Sequence, residues 1–305
     1  MKSSLFRSIV VSIAIAALAL SCASKATTPA ASPEAPAVAE QAAPAAPEAP
    51  AKVAKQRTVV TKVPVLVKES AFYSDGLADE YIVYKLDDAK KNVVEKTVYD
   101  ASRSDPIQRI VSEYKDGRLA AESTYEAEGG LRSRRELSYD GAGHLVAERT
   151  LDAKGKLQSA SAYGYDAADH KVEWRVLDAS GTAMATSAYA YGPDGLQAVE
   201  MRDAAGKLTG RLELEYTGGK LAKRSYFGAD GALMKYEACA YEGNLLAAVE
   251  YRRADGALSS KTVYAYGASG ELAKASEYDS AEAAGVYSTY EYIVREDSST
   301  ETYYE

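Results

Sequence analysis

The side chains that most often act as catalytic bases, nucleophiles or metal ligands are scarce in this chain. It has two histidines, His144 and His170, and beyond residue 22 it has one cysteine, Cys239. A histidine-based triad or a metal cluster needs partners at fixed places around the histidine, and the sequence singles out none. We therefore interpret both histidines as turn residues and Cys239 as a core-facing residue. The sequence predicts no catalytic residue, no metal and no cofactor.

Aspartates are the next candidates, as acid/base carboxylates or calcium ligands. They recur along the chain at Asp140, Asp152, Asp166, Asp178 and Asp194. A catalytic carboxylate pair would not repeat in this way, and the glycine-rich nonapeptide that binds calcium is absent. Turn chemistry explains the repetition better. In residues 152–155, Asp-Ala-Lys-Gly, the aspartate opens a type I turn and the glycine takes the left-handed position.

Tyrosine forms the one surface with binding potential, since the chain has 24 Tyr against 3 Phe and 1 Trp. One tyrosine recurs every 25 or 26 residues, at Tyr114, Tyr139, Tyr165, Tyr191, Tyr216, Tyr241, Tyr266 and Tyr292. Residues two apart on a strand share a face. On that basis a possible binding face consists of Tyr163, Tyr165, Tyr189, Tyr191, Tyr264 and Tyr266. Such a row of rings could bind sugars or a peptide, or it could be the core of the fold.

Glycines mark half of the tyrosine period, and most are followed closely by leucine, as in Gly143-His144-Leu145. Each unit is therefore two strands of about seven or eight residues, and strands joined by such tight turns are antiparallel. We predict an all-β fold, a long antiparallel meander of about 18–20 short strands. Open twisted sheets rarely exceed about ten strands, so the sheet should be rolled or solenoid-like.

The chain divides into segments that differ in composition and in how well they fit the repeat. The regular array is predicted to occupy residues 106–305. Residues 57–105 are rich in β-branched residues but fit the repeat poorly, and we interpret them as a divergent N-terminal β cap. Residues 22–56 hold six of the nine prolines, set among alanines, and predict a disordered tether.

Residues 139–145 read Tyr-Asp-Gly-Ala-Gly-His-Leu, which resembles the Tyr-Asp-x-x-Gly-x-Leu motif of the YD-repeat, or RHS-like, proteins. The resemblance covers about residues 107–280 in degenerate form: Leu151 replaces the tyrosine of one unit, and the unit that starts at Tyr266 lacks the aspartate. Members of that family wrap such strands into spiralling β-shells, some of which enclose toxins. The resemblance implies a β-hairpin repeat and, as one alternative function, a shell or immunity component of a toxin system.

The N-terminus has the pattern of a secretory signal. A short apolar run, residues 9–20, follows a positive region and is too short to span a bilayer comfortably. Residues 19–22, Ala-Leu-Ser-Cys, resemble a bacterial lipobox. That resemblance implies that residues 1–21 are a lipoprotein signal peptide and that Cys22 is acylated. Residue 23 is Ala and not Asp, which, by resemblance to the sorting rules of lipoproteins in diderm bacteria, implies export to the outer membrane.

The net charge limits the choice of partners. Cleavage of the signal removes two basic residues, so the net charge changes from −8 to −10. An acidic chain repels phosphate backbones, which argues against nucleic acid.

Together these features predict a membrane-anchored, extracytoplasmic repeat lipoprotein that acts as a binding or structural scaffold in the bacterial cell envelope. The protein would lie on the periplasmic or surface face of the outer membrane. Its partners would be the membrane, through the N-terminal lipid, and a protein or glycan of the envelope. We do not expect an enzyme, although a glycan hydrolase that uses a carboxylate pair in a concave face is an alternative.

Overall fold

A computed structural model describes residues 54–102 and 105–304 of the chain. The predicted signal peptide, Cys22 and the tether up to residue 53 lie outside the described residues. Every regular secondary-structure element of the described residues is a β-strand. They are β1 (Ala54–Phe72), β2 (Ala78–Leu86), β3 (Val93–Asp100), β4 (Pro106–Lys115), β5 (Arg118–Glu126), β6 (Leu131–Tyr139), β7 (Leu145–Asp152), β8 (Leu157–Tyr165), β9 (Lys171–Asp178), β10 (Ala183–Gly192), β11 (Gly195–Asp203), β12 (Leu208–Thr217), β13 (Lys220–Gly228), β14 (Leu233–Glu242), β15 (Leu245–Arg253), β16 (Leu258–Tyr266), β17 (Leu272–Asp279) and β18 (Ala284–Tyr304).

The strands form one closed barrel. Each strand is antiparallel to the strands before and after it, and β1 also pairs with β18, so the sheet of 18 strands has no open end. The predicted all-β meander of about 18–20 strands is confirmed. The solenoid-like alternative is wrong, because the last strand hydrogen-bonds to the first. Closure satisfies the backbone groups that the two end strands of a solenoid would leave unpaired.

Turns with aspartate and glycine connect the strands. Between β7 and β8 the amide of Gly155 donates to the carbonyl oxygen of Asp152 at 3.0 Å, and Oδ1 of Asp152 accepts from the amides of Lys154 and Lys156 at 2.8 and 2.9 Å. Gly155 has a φ of 78°, in the left-handed region that glycine adopts most easily. In the β8–β9 turn, where the glycine is missing, Asp169 takes this conformation with a φ of 66°.

β1 and β18 extend beyond the barrel as a two-stranded ribbon. From Ala54 to Leu66, β1 pairs only with β18, between Tyr304 and Tyr292, over 13 positions. At about 3.3 Å per residue this ribbon is about 40 Å long. β1 begins at Ala54, inside the segment predicted as a tether. Residues 57–105, predicted as a cap, form most of β1 together with β2 and β3 and belong to the same sheet.

The two faces of the sheet differ in composition. One face, called the charged face below, carries paired acidic and basic residues in mid-strand, such as Arg134 with Glu113 at 2.7 Å. Further pairs on this face join Glu136 to Arg149, Glu173 to Arg175, Glu200 to Arg202, Arg211 to Glu213 and Glu250 to Arg252. The opposite face, called the tyrosine face, carries all six tyrosines of the possible binding face.

Candidate functional site

The tyrosine face lines the inside of the barrel. On the charged face some small mid-strand side chains, such as Ala188 and Ala190, are exposed, whereas others, such as Ala121 and Ser225, are buried. On the tyrosine face, burial raises the pKa of Tyr189 and raises those of Tyr226 and Tyr290 to about 12. Such desolvation is expected on a concave surface, where side chains converge and cover one another.

The described residues do not fill the lumen with a packed core. No large side chain of the described residues is fully buried. The described side chains form hydrogen bonds, ion pairs and ring contacts only between strands or turns that are at most two strands apart, as between Arg134 and Glu113. None of these interactions joins opposite walls of the barrel. Barrels of 16–18 strands are wide enough to hold water, and a circular one of 18 strands measures about 35 Å between its backbone walls. The lumen wall is therefore a surface that a ligand can reach.

The recurring tyrosines form a ring at the rim from which the ribbon extends. Each hydroxyl donates a hydrogen bond, 2.9 to 3.1 Å long, to a main-chain carbonyl at the start of the preceding strand. The bonds join Tyr114 to Val93, Tyr139 to Leu119, Tyr165 to Leu145, Tyr191 to Lys171, Tyr216 to Leu196, Tyr241 to Leu221, Tyr266 to Leu246 and Tyr292 to Leu272. The hydroxyls of Tyr165, Tyr191 and Tyr266 are therefore used by the fold.

Both histidines lie in turns at this rim and pack on its tyrosines. His144 stacks on Tyr165, and His170 stacks on Tyr191, each with ring centroids 4.5 Å apart. Nδ1 of His144 lies 3.0 Å from Oδ2 of Asp140 in the same turn. Within the described residues no group of three or more His, Cys, Asp or Glu side chains is placed to hold a metal ion. The arrangement is one of packing between adjacent hairpins.

The other three predicted residues, Tyr163, Tyr189 and Tyr264, lie two positions deeper on the tyrosine face. Burial raises the pKa of all three. The hydroxyls of Tyr189 and Tyr264 have no hydrogen-bond partner among the described residues. Tyr163 and Tyr189 lie on either side of β9, whereas Tyr264 lies on β16. The possible binding face is therefore divided into two patches rather than forming one surface.

Two residues that sequence reasoning missed complete the patch around β9. The ring of Trp174 stacks with that of Tyr163 at 6.5 Å and 17°, and its Nε1 donates to Oγ of Ser161 at 3.0 Å. Nζ of Lys171 lies 5.6 Å from the ring centroid of Tyr163 and 4.5 Å from that of Tyr189. We call Tyr163, Lys171, Trp174 and Tyr189 the β9 cluster.

Lys171 differs from the residues at the equivalent positions of the repeat. Within the regular array, the other residues whose carbonyl accepts a rim tyrosine are all leucine: Leu119, Leu145, Leu196, Leu221, Leu246 and Leu272. Lys171 is the exception at this position. The fold at this position therefore does not require lysine, and valine takes it before the array, at Val93.

The second patch, around Tyr264, has a different character. Burial raises the pKa of Tyr264 and of the nearby thiol of Cys239, a half-buried free cysteine on the tyrosine face. A raised thiol pKa keeps the group protonated at neutral pH, which does not suit a nucleophile.

Two groups of charged side chains on the tyrosine face are paired with one another. Nη1 of Arg224 lies 2.6 Å from Oε2 of Glu237, and the hydroxyl of Tyr226 donates to Oε1 of the same carboxylate at 2.7 Å. Arg135 lies between Glu122 and Glu148, at 2.5 and 3.4 Å. These pairs stabilise the wall. Lys171 of the β9 cluster is half-buried, and its ammonium group has no hydrogen-bond or ion-pair partner among the described residues.

Comparison with known proteins gives low similarity. No family model matches the chain, and no curated protein matches it. A porin-like protein from Bacteroides uniformis aligns at 9% identity over 75% of this chain and 98% of that one, with a TM-score of 0.42. A porin-like protein from Bacteroides vulgatus aligns at 9% identity over 73% and 97%, with a TM-score of 0.33. The Photorhabdus luminescens Tc holotoxin pore aligns at 11% identity over 72% of this chain but 15% of that one, with a TM-score of 0.22.

At these identities and TM-scores the likeness says nothing about activity, and membership of the YD-repeat family stays a prediction. No helix with the length and hydropathy of a membrane span occurs in residues 54–102 or 105–304.

Proposed function

We propose that this chain is a lipid-anchored scaffold of the bacterial cell envelope that binds a glycan or protein of the envelope on its tyrosine face. One observation carries the proposal. The wall of an open lumen presents aromatic rings, the unbonded hydroxyls of Tyr189 and Tyr264, and the ammonium group of Lys171 with no hydrogen-bond acceptor among the described residues. Rings with free polar groups bind sugars and peptides by stacking and hydrogen bonding together.

The position of the ribbon supports the anchoring part of the proposal. Ala54 lies at the tip of the ribbon, and the proposed lipid-bearing residue, Cys22, precedes it by 32 positions. A lipid on Cys22 would therefore hold the barrel by the end of its ribbon. More than one acyl chain is needed for a stable anchor, and the lipobox resemblance implies such a lipid.

The charged face supports a barrel that is attached to a membrane and not inserted into it. A membrane-spanning barrel presents an apolar band about 25 Å tall to lipid, and a basic residue at its midplane costs about 2–4 kcal/mol. Here the outer face carries charged residues such as Arg134, Glu136 and Arg211 in mid-strand. The tyrosine face would not suit lipid either, because Arg224 and Glu237 lie on it.

Fatty-acid labelling in the producing cell tests the anchor. The wild-type chain should incorporate the label, and Cys22→Ser should not. Labelling that persists in the Cys22→Ser protein would show that the lipid lies elsewhere, and a wild-type chain without label would show that it carries no lipid.

Two matched variants on β10 test the binding surface, with partners captured by cross-linking of the full chain in cells and by binding to arrayed envelope glycans. Tyr189→Phe removes an unbonded hydroxyl, so it should weaken binding and leave stability unchanged. Tyr191→Phe removes the rim bond to Lys171 and should do the reverse. The lumen proposal fails if the captured partner binds the wild type, Tyr189→Phe and Lys171→Gln with equal affinity.

The hydrolase alternative is supported by one specific observation. Burial raises the pKa of Glu69 and of Glu80, and the hydroxyl of Tyr84 lies 3.4 Å from Oε2 of Glu69. A carboxyl group with a raised pKa suits a general acid. If the wild type releases sugars from an envelope glycan and folded Glu69→Gln does not, the protein is an enzyme. The shell or immunity alternative stays a prediction.

A further inference from the structure

We propose that the β9 cluster binds a carboxylate-bearing sugar, with the sugar ring on the aromatic side chains and the carboxylate on Nζ of Lys171. This inference rests on the proposed function and names the ligand class of the same lumen wall. Three features of the cluster carry it: an ammonium group without an acceptor, flanking aromatic rings, and a departure from the repeat at the same residue.

The ammonium group of Lys171 is poorly satisfied by the protein. It contacts the faces of Tyr163 and Tyr189, and no carboxylate or carbonyl oxygen of the described residues accepts a hydrogen bond from it. An ammonium group has three N–H donors. Burial lowers the pKa of Lys171, and the negative charge of Glu148 acts in the opposite direction. Glu148 is itself paired with Arg135 at 3.4 Å. An anion that enters the lumen is therefore the partner that the group lacks.

The rings determine what else the ligand must contain. Tyr163 and Trp174 lie nearly parallel, at 17°, and the apolar face of a pyranose stacks on aromatic rings of this kind. Indole Nε1 is already bonded to Ser161, which fixes the orientation of the Trp174 ring. The unbonded hydroxyl of Tyr189 supplies a donor or acceptor for a sugar hydroxyl. The aromatic rings, the ammonium group and the hydroxyl together match an acidic saccharide better than an inorganic anion, because an inorganic anion would interact with the ammonium group alone.

A control lysine lies at the same rim, four strands away in the array and one residue before the position equivalent to Lys171, which is Leu221. Lys220 opens β13 as Lys171 opens β9, and its Nζ lies 5.4 Å from the ring centroid of Tyr241. Unlike Lys171, Lys220 donates a hydrogen bond to the carbonyl oxygen of Gly243. Its ammonium group therefore has an acceptor in the protein, and its replacement should not affect an acidic ligand.

Titration of the full lipidated chain in detergent tests the inference. Trp174 is the one tryptophan of the chain, so its fluorescence reports directly on the cluster. The probes are oligosaccharides that contain galacturonate, glucuronate, N-acetylmuramate or N-acetylneuraminate, each with its methyl ester as a neutral partner of the same shape. Calorimetry measures the affinity of Lys171→Gln, Lys220→Gln and Trp174→Leu, since the last lacks the fluorophore.

We expect at least one acid to bind more tightly than its ester, by about tenfold or more, the effect of one charge-assisted hydrogen bond. Lys171→Gln should remove this preference, Lys220→Gln should keep it, and Trp174→Leu should weaken acid and ester alike. Equal binding of acids and esters by the wild type would overturn the inference and leave the lumen-binding function in place. If no acid binds while an arrayed neutral glycan or a cross-linked protein occupies the lumen, the inference is again overturned alone. If nothing binds there, both proposals fail.

Discussion

The hydroxyl of Tyr165 donates a hydrogen bond to the carbonyl oxygen of Leu145, 3.0 Å away and 20 positions earlier in the chain. Equivalent bonds repeat around the rim, so each hairpin is attached to its neighbour by a side chain as well as by the backbone ladder. Because residues 54–102 and 105–304 form no packed core in the lumen, these bonds and the ladder carry more of the cohesion between units than they would in a filled barrel.

Loss of one rim bond should destabilise the barrel measurably. Tyr266→Phe removes the 2.9 Å bond to the carbonyl oxygen of Leu246 and should lower the free energy of unfolding by about 1 kcal/mol. Tyr264→Phe is the matched control, because the hydroxyl two residues away on the same strand has no partner among the described residues. Urea unfolding of both variants measures the difference. Equal stability of the two would mean that the rim bonds do not stabilise the barrel.

Acid should destabilise the protein through the turn aspartates. Hydrogen bonds from backbone amides, that of Lys156 first, lower the pKa of Asp152 below its ordinary value of 3.8. A lowered pKa in the folded state means that the stabilisation is complete above the unfolded value and is lost as the pH falls through the folded value. The urea midpoint should therefore fall between about pH 5 and pH 2. Asp152→Asn should flatten this dependence, and an unchanged slope in that variant would contradict the assignment.

Local sequence chemistry predicted the strands and the turns. The aspartate and glycine of each turn act within four residues, as in Asp152 and Gly155, and the tyrosine period is visible by counting. These features determine the number of strands and their antiparallel order. The chain therefore indicated an all-β meander from residue types alone.

Closure and the β9 cluster depend on pairings that the sequence does not display. β1 meets β18 between residues such as Ala71 and Ser288, far apart in the chain, and β1 does not fit the repeat. The tyrosine face divides into patches because Tyr189 and Tyr264 lie six strands apart around a wall. Lys171 was missed because its neighbours in the cluster come from β8 and β10, although its departure from leucine was available in the sequence.

Alkali should also destabilise the protein, through the lumen tyrosines. Burial, with the hydrogen bond to Glu237 next, raises the pKa of Tyr226 to about 12, and burial raises that of Tyr290 to about 12. A raised pKa in the folded state leaves stability unaffected below the unfolded value, and stability is lost as the pH rises from about 10 through the folded value. As the pH is raised, tyrosinate absorbance of the folded protein should stay below that of the unfolded chain, and it should increase when the barrel unfolds. Full ionisation near pH 10 in the folded protein would contradict this.

Removing only Arg224 from the Arg224–Glu237 ion pair should destabilise the barrel more than replacing both residues. The side chain of Glu237 is 12% exposed and lies 2.6 Å from Arg224. Arg224→Met leaves the carboxylate without its cation and should cost about 2 kcal/mol. Adding Glu237→Gln removes the unpaired charge and should recover part of that loss. Urea unfolding of the single and double variants gives the coupling energy, and strictly additive effects would mean that the two groups do not interact.

The unlipidated protein should not enter a bilayer. With Cys22→Ser and no signal peptide, the chain has no lipid, and charged side chains such as Arg134 and Glu113 lie in mid-strand on the outer face. Burying that face in hydrocarbon would cost several kcal/mol for each unpaired charge. We therefore expect this chain to remain in the aqueous phase on detergent phase separation and to produce no conductance in planar bilayers. The lipidated chain should move to the detergent phase, again without conductance. Stepwise conductance from either form would show that the barrel spans the membrane and would overturn the assignment of its outer face.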